Sequence, residues 1–213
     1  MDAALDMLKL TEAAVVARVA LRDVNRAIDE RILPESFVSN DDGRRVAFVA
    51  CTLISFYVDS AERLTAKERM FAIHEAGSRL TKFREGRLKF LDWTVRHDFL
   101  TIDLAPFAKR TNEGMKCLAA AREAVVSDPE ILGGTPVLRG TRVPVYDVAA
   151  SVEDGLPMER ILAAYPSIDR ERVELAALYA EANPPRGRPR SSGEPPGTGV
   201  LVDKRVSRRG KAV

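Results

Sequence analysis

The stretch Ser127-Asp128-Pro129-Glu130-Ile131-Leu132-Gly133-Gly134-Thr135-Pro136-Val137-Leu138-Arg139-Gly140-Thr141-Arg142-Val143-Pro144-Val145 organises the reading of the whole chain. Two short apolar segments, 136–138 and 143–145, flank the polar run Arg139-Gly140-Thr141-Arg142. Glycine permits positive φ and close backbone approach, while proline fixes φ and removes an amide donor. The pattern predicts a tight hairpin or an extended arm leading into a helix, with Arg139 and Arg142 projecting from the turn. On residue types alone, the plain expectation is a structural turn joining two elements.

Three helical runs follow, at 146–153, 157–164 and 169–182. Gly155 ends the first, Pro157 opens the second, and Ser167 or Asp169 is placed to cap the third. The residues Pro129-Glu130-Ile131, Gly134-Thr135-Pro136-Val137 and Gly140 to Val145 lie in register with Gly155-Leu156-Pro157, Glu159 to Leu162, Tyr165-Pro166 and Val173 to Ala180. Together, over 125–183, they resemble the signature of a family of small helical bacterial domains long described only as of unknown function, many of them found in toxin–antitoxin operons. The resemblance implies a three-helix, helix-turn-helix-like domain in which Gly134, Pro136, Arg139, Gly140, Thr141, Arg142 and Pro144 are structural. Arg139 and Arg142 are expected to bond carbonyls or carboxylates within the module, which would organise a dimer or brace a toxin.

The N-terminal third carries a second organised pattern. Thr11 is placed to cap a short helix with Ala14, Val15 and the turn residue Val19 inward. A second helix over 21–30 would bury Leu21, Val24, Ala27 and Ile28 and present Arg22, Asn25, Arg26 and Asp29. Phe37-Val38-Ser39, the turn 40–43 and Arg44 to Phe48 then read as a hairpin with basic residues on its return strand, and a further helix covers 49–63. Helix, turn, helix, hairpin, helix is the order of a winged helix. The segment resembles the DNA-binding half of MerR-like regulators, whose opening often reads Leu-Thr-Glu-Ala-Ala, as residues 10–14 do here. Arginine can bridge guanine acceptors, asparagine can pair with adenine, and wing arginines can meet phosphate. Arg22, Asn25, Arg26, Arg44 and Arg45 are therefore the candidate DNA contacts. Acidic Asp23, Asp29 and Glu30 on the same helix imply modest affinity per monomer, for which a dimer on two half-sites would compensate.

Between these regions, Thr65 to Glu68 reads as a helix start. Residues 88–95 and 99–104 alternate like strands around Arg96-His97-Asp98 and should pair as a second hairpin, within the chain or across a dimer. Residues 105–125 read as a connecting helix. The expected organisation is a winged helix-turn-helix at 1–84, a β-hairpin and linker helix at 85–124, the signature domain at 125–183 and a disordered basic tail at 184–213. The fold class is mainly α with small β-hairpins.

The 213 residues carry a net charge of only +2, unevenly placed. The tail holds eight Lys or Arg against Glu194 and Asp203, so the rest of the chain is mildly acidic. Its Pro, Gly and Ser content cannot bury enough surface to offset ordering entropy. No apolar run is long enough to span a bilayer. Cys51 and Cys117 stand far apart without a CxxC pair, which fits two reduced thiols and a cytoplasmic location.

An enzyme should display a constellation, and none is apparent. His74 lies beside Glu75 without a metal-ligand spacing, and His97 sits in a turn. Asp92, Asp98 and Asp103 make only a weak carboxylate cluster, and there is no phosphate loop or nucleophile elbow. No catalytic residue, metal or cofactor is expected. The tail offers a sharper possibility, because Arg186, Arg188 and Arg190 place three always-charged forks on a stiff backbone just past the last helix. The resemblance implies a VapB-type antitoxin whose partner is a VapC-like PIN-domain ribonuclease. Such antitoxins carry basic residues of an extended C-terminal segment into the toxin's metal-binding carboxylates. The expected function is an antitoxin that binds this toxin and autoregulates its operon through operator DNA, as a homodimer or a hetero-oligomer with the toxin. The alternative is a stand-alone transcriptional regulator whose tail tracks phosphates. An enzyme built on Asp92, His97 and Asp98 ranks last.

Overall fold

The computed structural model describes residues 6–41, 43–97 and 99–185. Among them the chain is mainly α-helical with small antiparallel sheets, as the periodicity predicts. The elements in order are β1(Met7–Lys9), α1(Leu10–Ala17), α2(Leu21–Asp29), β2(Val38–Ser39), β3(Arg45–Ala47), α3(Phe48–Asp59), α4(Ala66–Arg84), β4(Thr94–His97), β5(Leu100–Asp103), α5(Ala105–Ala124), β6(Val125–Val126), β7(Val137–Leu138), α6(Val145–Glu153), α7(Met158–Ala164) and α8(Arg170–Ala182).

The larger core forms around α3, which is apolar on nearly every side and buries Phe48 through Phe56. A helix of that kind needs neighbours all round, and α1, α2, α4 and α5 supply them. Phe56 meets Phe107 of α5 edge-to-face at 5.5 Å. The buried hydroxyls of Thr52 and Thr111 satisfy each other across the same interface at 2.9 Å. Gly114 lets α5 approach α1 so closely that a Cβ there would lie 2.7 Å from the Val16 carbonyl oxygen. The expected linker helix is thus a packed wall of the N-terminal core, and its other end leads directly into the signature domain. Val125, Leu138, Val145, Val148, Ile161, Ile168, Val173 and Ala176 form that domain's own smaller core.

Several local expectations change. Thr11 does not cap α1, which starts two residues earlier, with Lys9 as its cap, directly after Met7–Lys9 pairs with β3 as a third strand, in sheet order β1-β3-β2. The Glu12 carboxylate accepts the Lys9 amide at 3.0 Å, and the Thr11 hydroxyl donates instead to the Ala182 carbonyl at 2.6 Å. Leu21, expected inward, is 42% exposed because it opens α2 at the turn, where no neighbour covers it. The second hairpin pairs within the chain, Val95 opposite Ile102 and His97 opposite Leu100. His97 therefore sits in strand β4 and stacks on Phe71 of α4 at 4.0 Å, with the turn displaced beyond it. The strand-like alternation at 88–93 forms no strand. Downstream, α6, α7 and α8 begin and end within a residue of their expected bounds. The Asp169 carboxylate caps α8 by accepting the Arg172 amide at 2.9 Å, and Gly155 leaves α6 with φ +72°.

Candidate nucleic-acid interface

The candidate surface is built on α1, α2 and the β2–β3 hairpin. Helix α1 ends with Arg18 in the left-handed region, φ 56°, while the Val19 amide donates to the Ala14 carbonyl at 3.0 Å. That motif turns the chain through Arg18, Val19 and Ala20 into α2. A non-glycine residue held there costs about 1 kcal/mol, offset by the burial of α1 from Glu12 to Ala17. Val24 and Ala27 anchor α2 to the core. Arg22 and Arg26, one helical turn apart on the outer face, are both exposed.

The hairpin pairs Val38 with Val46 and Ser39 with Arg45. Val46 points inward, which turns Arg45 to the half-exposed side. Gly43, with φ +76°, closes the loop. Arg44 reaches back across to α2, where its Nη2 pairs with the Asp29 carboxylate and its Nη1 donates to Asn25 Oδ1 at 3.4 Å. Asn25 Nδ2 donates to the Leu21 carbonyl at 3.0 Å. Three of the five sequence candidates thus differ in state from the other two. Asn25 and Arg44 are joined to each other and Arg45 is half-buried, while Arg22 and Arg26 remain outward. Arg26 has only a loose pairing with Asp23, at 3.5 Å. Asp29, which pins the hairpin to α2, was legible as an outward acid, but its role needs the tertiary fold.

A second junction escaped the sequence reading. The end of α8 is tied to the N-terminal unit by the Thr11–Ala182 bond and by Lys9 Nζ, which donates to Asn183 Oδ1 at 3.1 Å. The Tyr146 hydroxyl donates to the Asn183 carbonyl at 2.8 Å. Partial burial beside Tyr179 raises the pKa of that phenol, keeping it a donor. The chain therefore leaves α8 next to the first helix of the helix-turn-helix. Arg186, Arg188 and Arg190 lie outside the described residues.

The signature stretch forms the hairpin that the glycines and prolines suggest. The Leu138 amide donates to the Val143 carbonyl at 3.0 Å and the Val145 amide to the Pro136 carbonyl at 2.9 Å. Gly140 turns with φ +76°, and the Thr141 hydroxyl donates to the Leu138 carbonyl at 2.8 Å. One arm, β7, also pairs with β6, Val125 opposite Leu138. Gly134 takes φ +85° just before Thr135 and Pro136 lead into that arm. Pro144 bridges back to Val137 and precedes α6. Arg139 donates from Nε to the Glu123 carbonyl at 2.7 Å, stapling the turn to the end of α5. Arg142 differs from its expectation. It is exposed and bonds no carbonyl or carboxylate among the described residues, because the turn aims it at solvent.

Asp92 and Asp103 of the weak carboxylate cluster are engaged structurally. Asp92 accepts the Thr94 amide at 2.9 Å, which lowers its pKa. Asp103 accepts the Ala105 amide at 2.8 Å where α5 begins, and Asp98 lies outside the described residues. Among the described residues no group of His, Cys, Asp or Glu is arranged to hold a metal ion, and no helix is long and apolar enough to cross a membrane.

Residues 125–180 match the family described as "Protein of unknown function (DUF433)". Over 215 residues the chain is 59% identical to "Uncharacterized protein y4eO" of Sinorhizobium fredii (strain NBRC 101917 / NGR234), spanning 99% of this chain and 97% of that protein. The chain belongs to the y4eO family, with a DUF433 region at its C-terminal side. A crystal structure of Rv2018 from Mycobacterium tuberculosis is 15% identical and covers 81% of this chain and 98% of that one, with a TM-score of 0.29, a likeness too weak to assign a fold.

Proposed function

We propose that this chain is the antitoxin of a type II toxin–antitoxin pair. Its helix-turn-helix and hairpin bind operator DNA, and its C-terminal region binds and inhibits a VapC-like PIN-domain ribonuclease by occlusion. The observation that carries the DNA half is the outward pair Arg22 and Arg26 on the second helix, flanked by a hairpin whose Arg44 sits on that helix. Residues 18–45 contain as many acids as arginines, so non-specific attraction is weak and affinity rests on a few forks and on two copies per site. Arg44 must exchange Asp29 for phosphate, and the complex as a whole should weaken with salt because phosphate contacts release counterions.

The toxin half rests on the resemblance and on the anchored end of α8, from which a basic segment departs at a defined place. Arg186, Arg188 or Arg190 would compete for the acidic side chains that hold the toxin's metal. Guanidinium forks fit carboxylates bidentately and lysine does not, so changing all three to Lys should abolish neutralisation of the co-encoded toxin. Full neutralisation by the triple-Lys chain would remove this mechanism.

The same anchoring favours a second reading, a stand-alone regulator whose tail tracks phosphates beside the helix-turn-helix. Truncation after Pro185 separates the two. An antitoxin keeps operator binding and loses neutralisation, whereas a regulator loses affinity at every sequence, with a shallower dependence of log K on log salt.

A further inference from the structure

We infer that strand β5 is the contact between two copies of this chain, which pair antiparallel through it into a four-stranded sheet. The Leu104 amide donates to the Trp93 carbonyl at 3.0 Å, and bonded and non-bonded pairs alternate along an antiparallel ladder. Counted from there, Val95–Ile102 and His97–Leu100 are the bonded pairs. The backbone N–H and C=O groups of Thr101 and Asp103 consequently point away from β4. Among the described residues no third strand receives them. The opposite edge is already engaged, since Arg79 donates to the Thr94 carbonyl at 2.6 Å.

Natural sheet edges are usually blunted by shortness, charged side chains, proline, a bulge or a covering element, and of these β5 has its four-residue length and the single charge of Asp103. Leu100-Thr101-Ile102-Asp103 contains no Lys or Pro, and the residue before it, Phe99, is 100% exposed. The chemistry of the edge fits a second copy. A two-fold axis through Ile102 sets Thr101 opposite the partner's Asp103, and Asp103 opposite the partner's Thr101. Four main-chain bonds form, and each carboxylate faces a hydroxyl, with no like charge across from it. Ile102, already buried in its own chain's core, lies on the axis, and exposed Phe99 lands alongside the partner's Ala105. This pairing is independent of whether the chain binds DNA or toxin.

The test uses the full chain alone. Proline at 101 removes an outward amide without touching the β4–β5 ladder, whereas proline at 96 removes an outward amide from the other edge. Light scattering should give twice the chain mass for wild type and for Arg96→Pro, and the single-chain mass for Thr101→Pro. A monomeric wild type, or equal effects of the two prolines, overturns the pairing. If Thr101→Pro fails to fold, hydrogen exchange on the wild type decides. The Thr101 and Asp103 amides should exchange more slowly as protein concentration rises while that of Arg96 does not, and exchange independent of concentration overturns the proposal.

Discussion

Replacing Arg122 by Ala should destabilise the helix-turn-helix from outside it. Glu12, in the first turn of α1, is 3% exposed. Its Oε1 pairs with Arg122 Nη2 of α5 at 2.9 Å, and its Oε2 accepts the Lys9 amide at 3.0 Å. Removing one partner of a fully buried pair costs about 3–5 kcal/mol, because a charge stays buried uncompensated. Here the Arg122 side chain is 41% exposed. Water can therefore replace part of the guanidinium, and the Lys9 amide remains, which brings the expected loss down to about 2 kcal/mol. For a chain of this length that is about 4–8 °C in Tm. Urea denaturation of Arg122→Ala, Glu12→Gln and the double variant provides the cycle. A neutral amide keeps the Lys9 contact and needs no cation, so the double variant should recover about 1 kcal/mol relative to Arg122→Ala. The reasoning is refuted if Arg122→Ala lies within about 0.5 kcal/mol of wild type, or if Glu12→Gln brings no recovery.

Gly114→Ala should lower stability by about 1–2 kcal/mol in chemical denaturation, since overpacking against main chain outweighs the roughly 1 kcal/mol gain in helix propensity; a gain would mean that α5 slides freely on α1. Thr65→Ala should cost about 1 kcal/mol and flatten the acid side of the stability profile. The Thr65 hydroxyl and amide bond the Glu68 carboxyl and hold its pKa below the usual 4.5. That contribution is present above 4.5 and is lost as pH falls through the depressed value, so an unchanged acid limb in Thr65→Ala would contradict it. In thiol titration the native protein should react at Cys117, which is exposed, and not at Cys51, whose pKa burial pushes up to about 12. Both should react after unfolding, and fast native labelling of Cys51 would refute its burial.

Much of the chain was legible because its signals are local. Gly155 and Asp169 end and begin helices through their own backbone preferences and side-chain acceptors. The prolines and Gly140 of the signature stretch mark its hairpin locally, though β6 and the end of α5 hold it in place, and residues 22–29 announce an amphipathic helix by period alone. The roles that changed are those set by distant partners. Thr11 is a good cap by type, yet its hydroxyl is taken by the end of α8, 171 positions away. Arg44 and Asn25 suit a groove by type, yet Asp29 and the geometry of the hairpin join them to each other. Arg139 and Arg142 are equivalent in the sequence, and only the turn's orientation gives one a carbonyl and the other solvent. By itself the sequence determined where the chain turns, caps and buries a face, because those choices are made within a few residues. Tertiary structure alone decided which polar groups are occupied, which helices touch closely enough to require Gly114, and which strand edge stays open. Those outcomes depend on atoms brought together by burial, and no spacing along the chain encodes them.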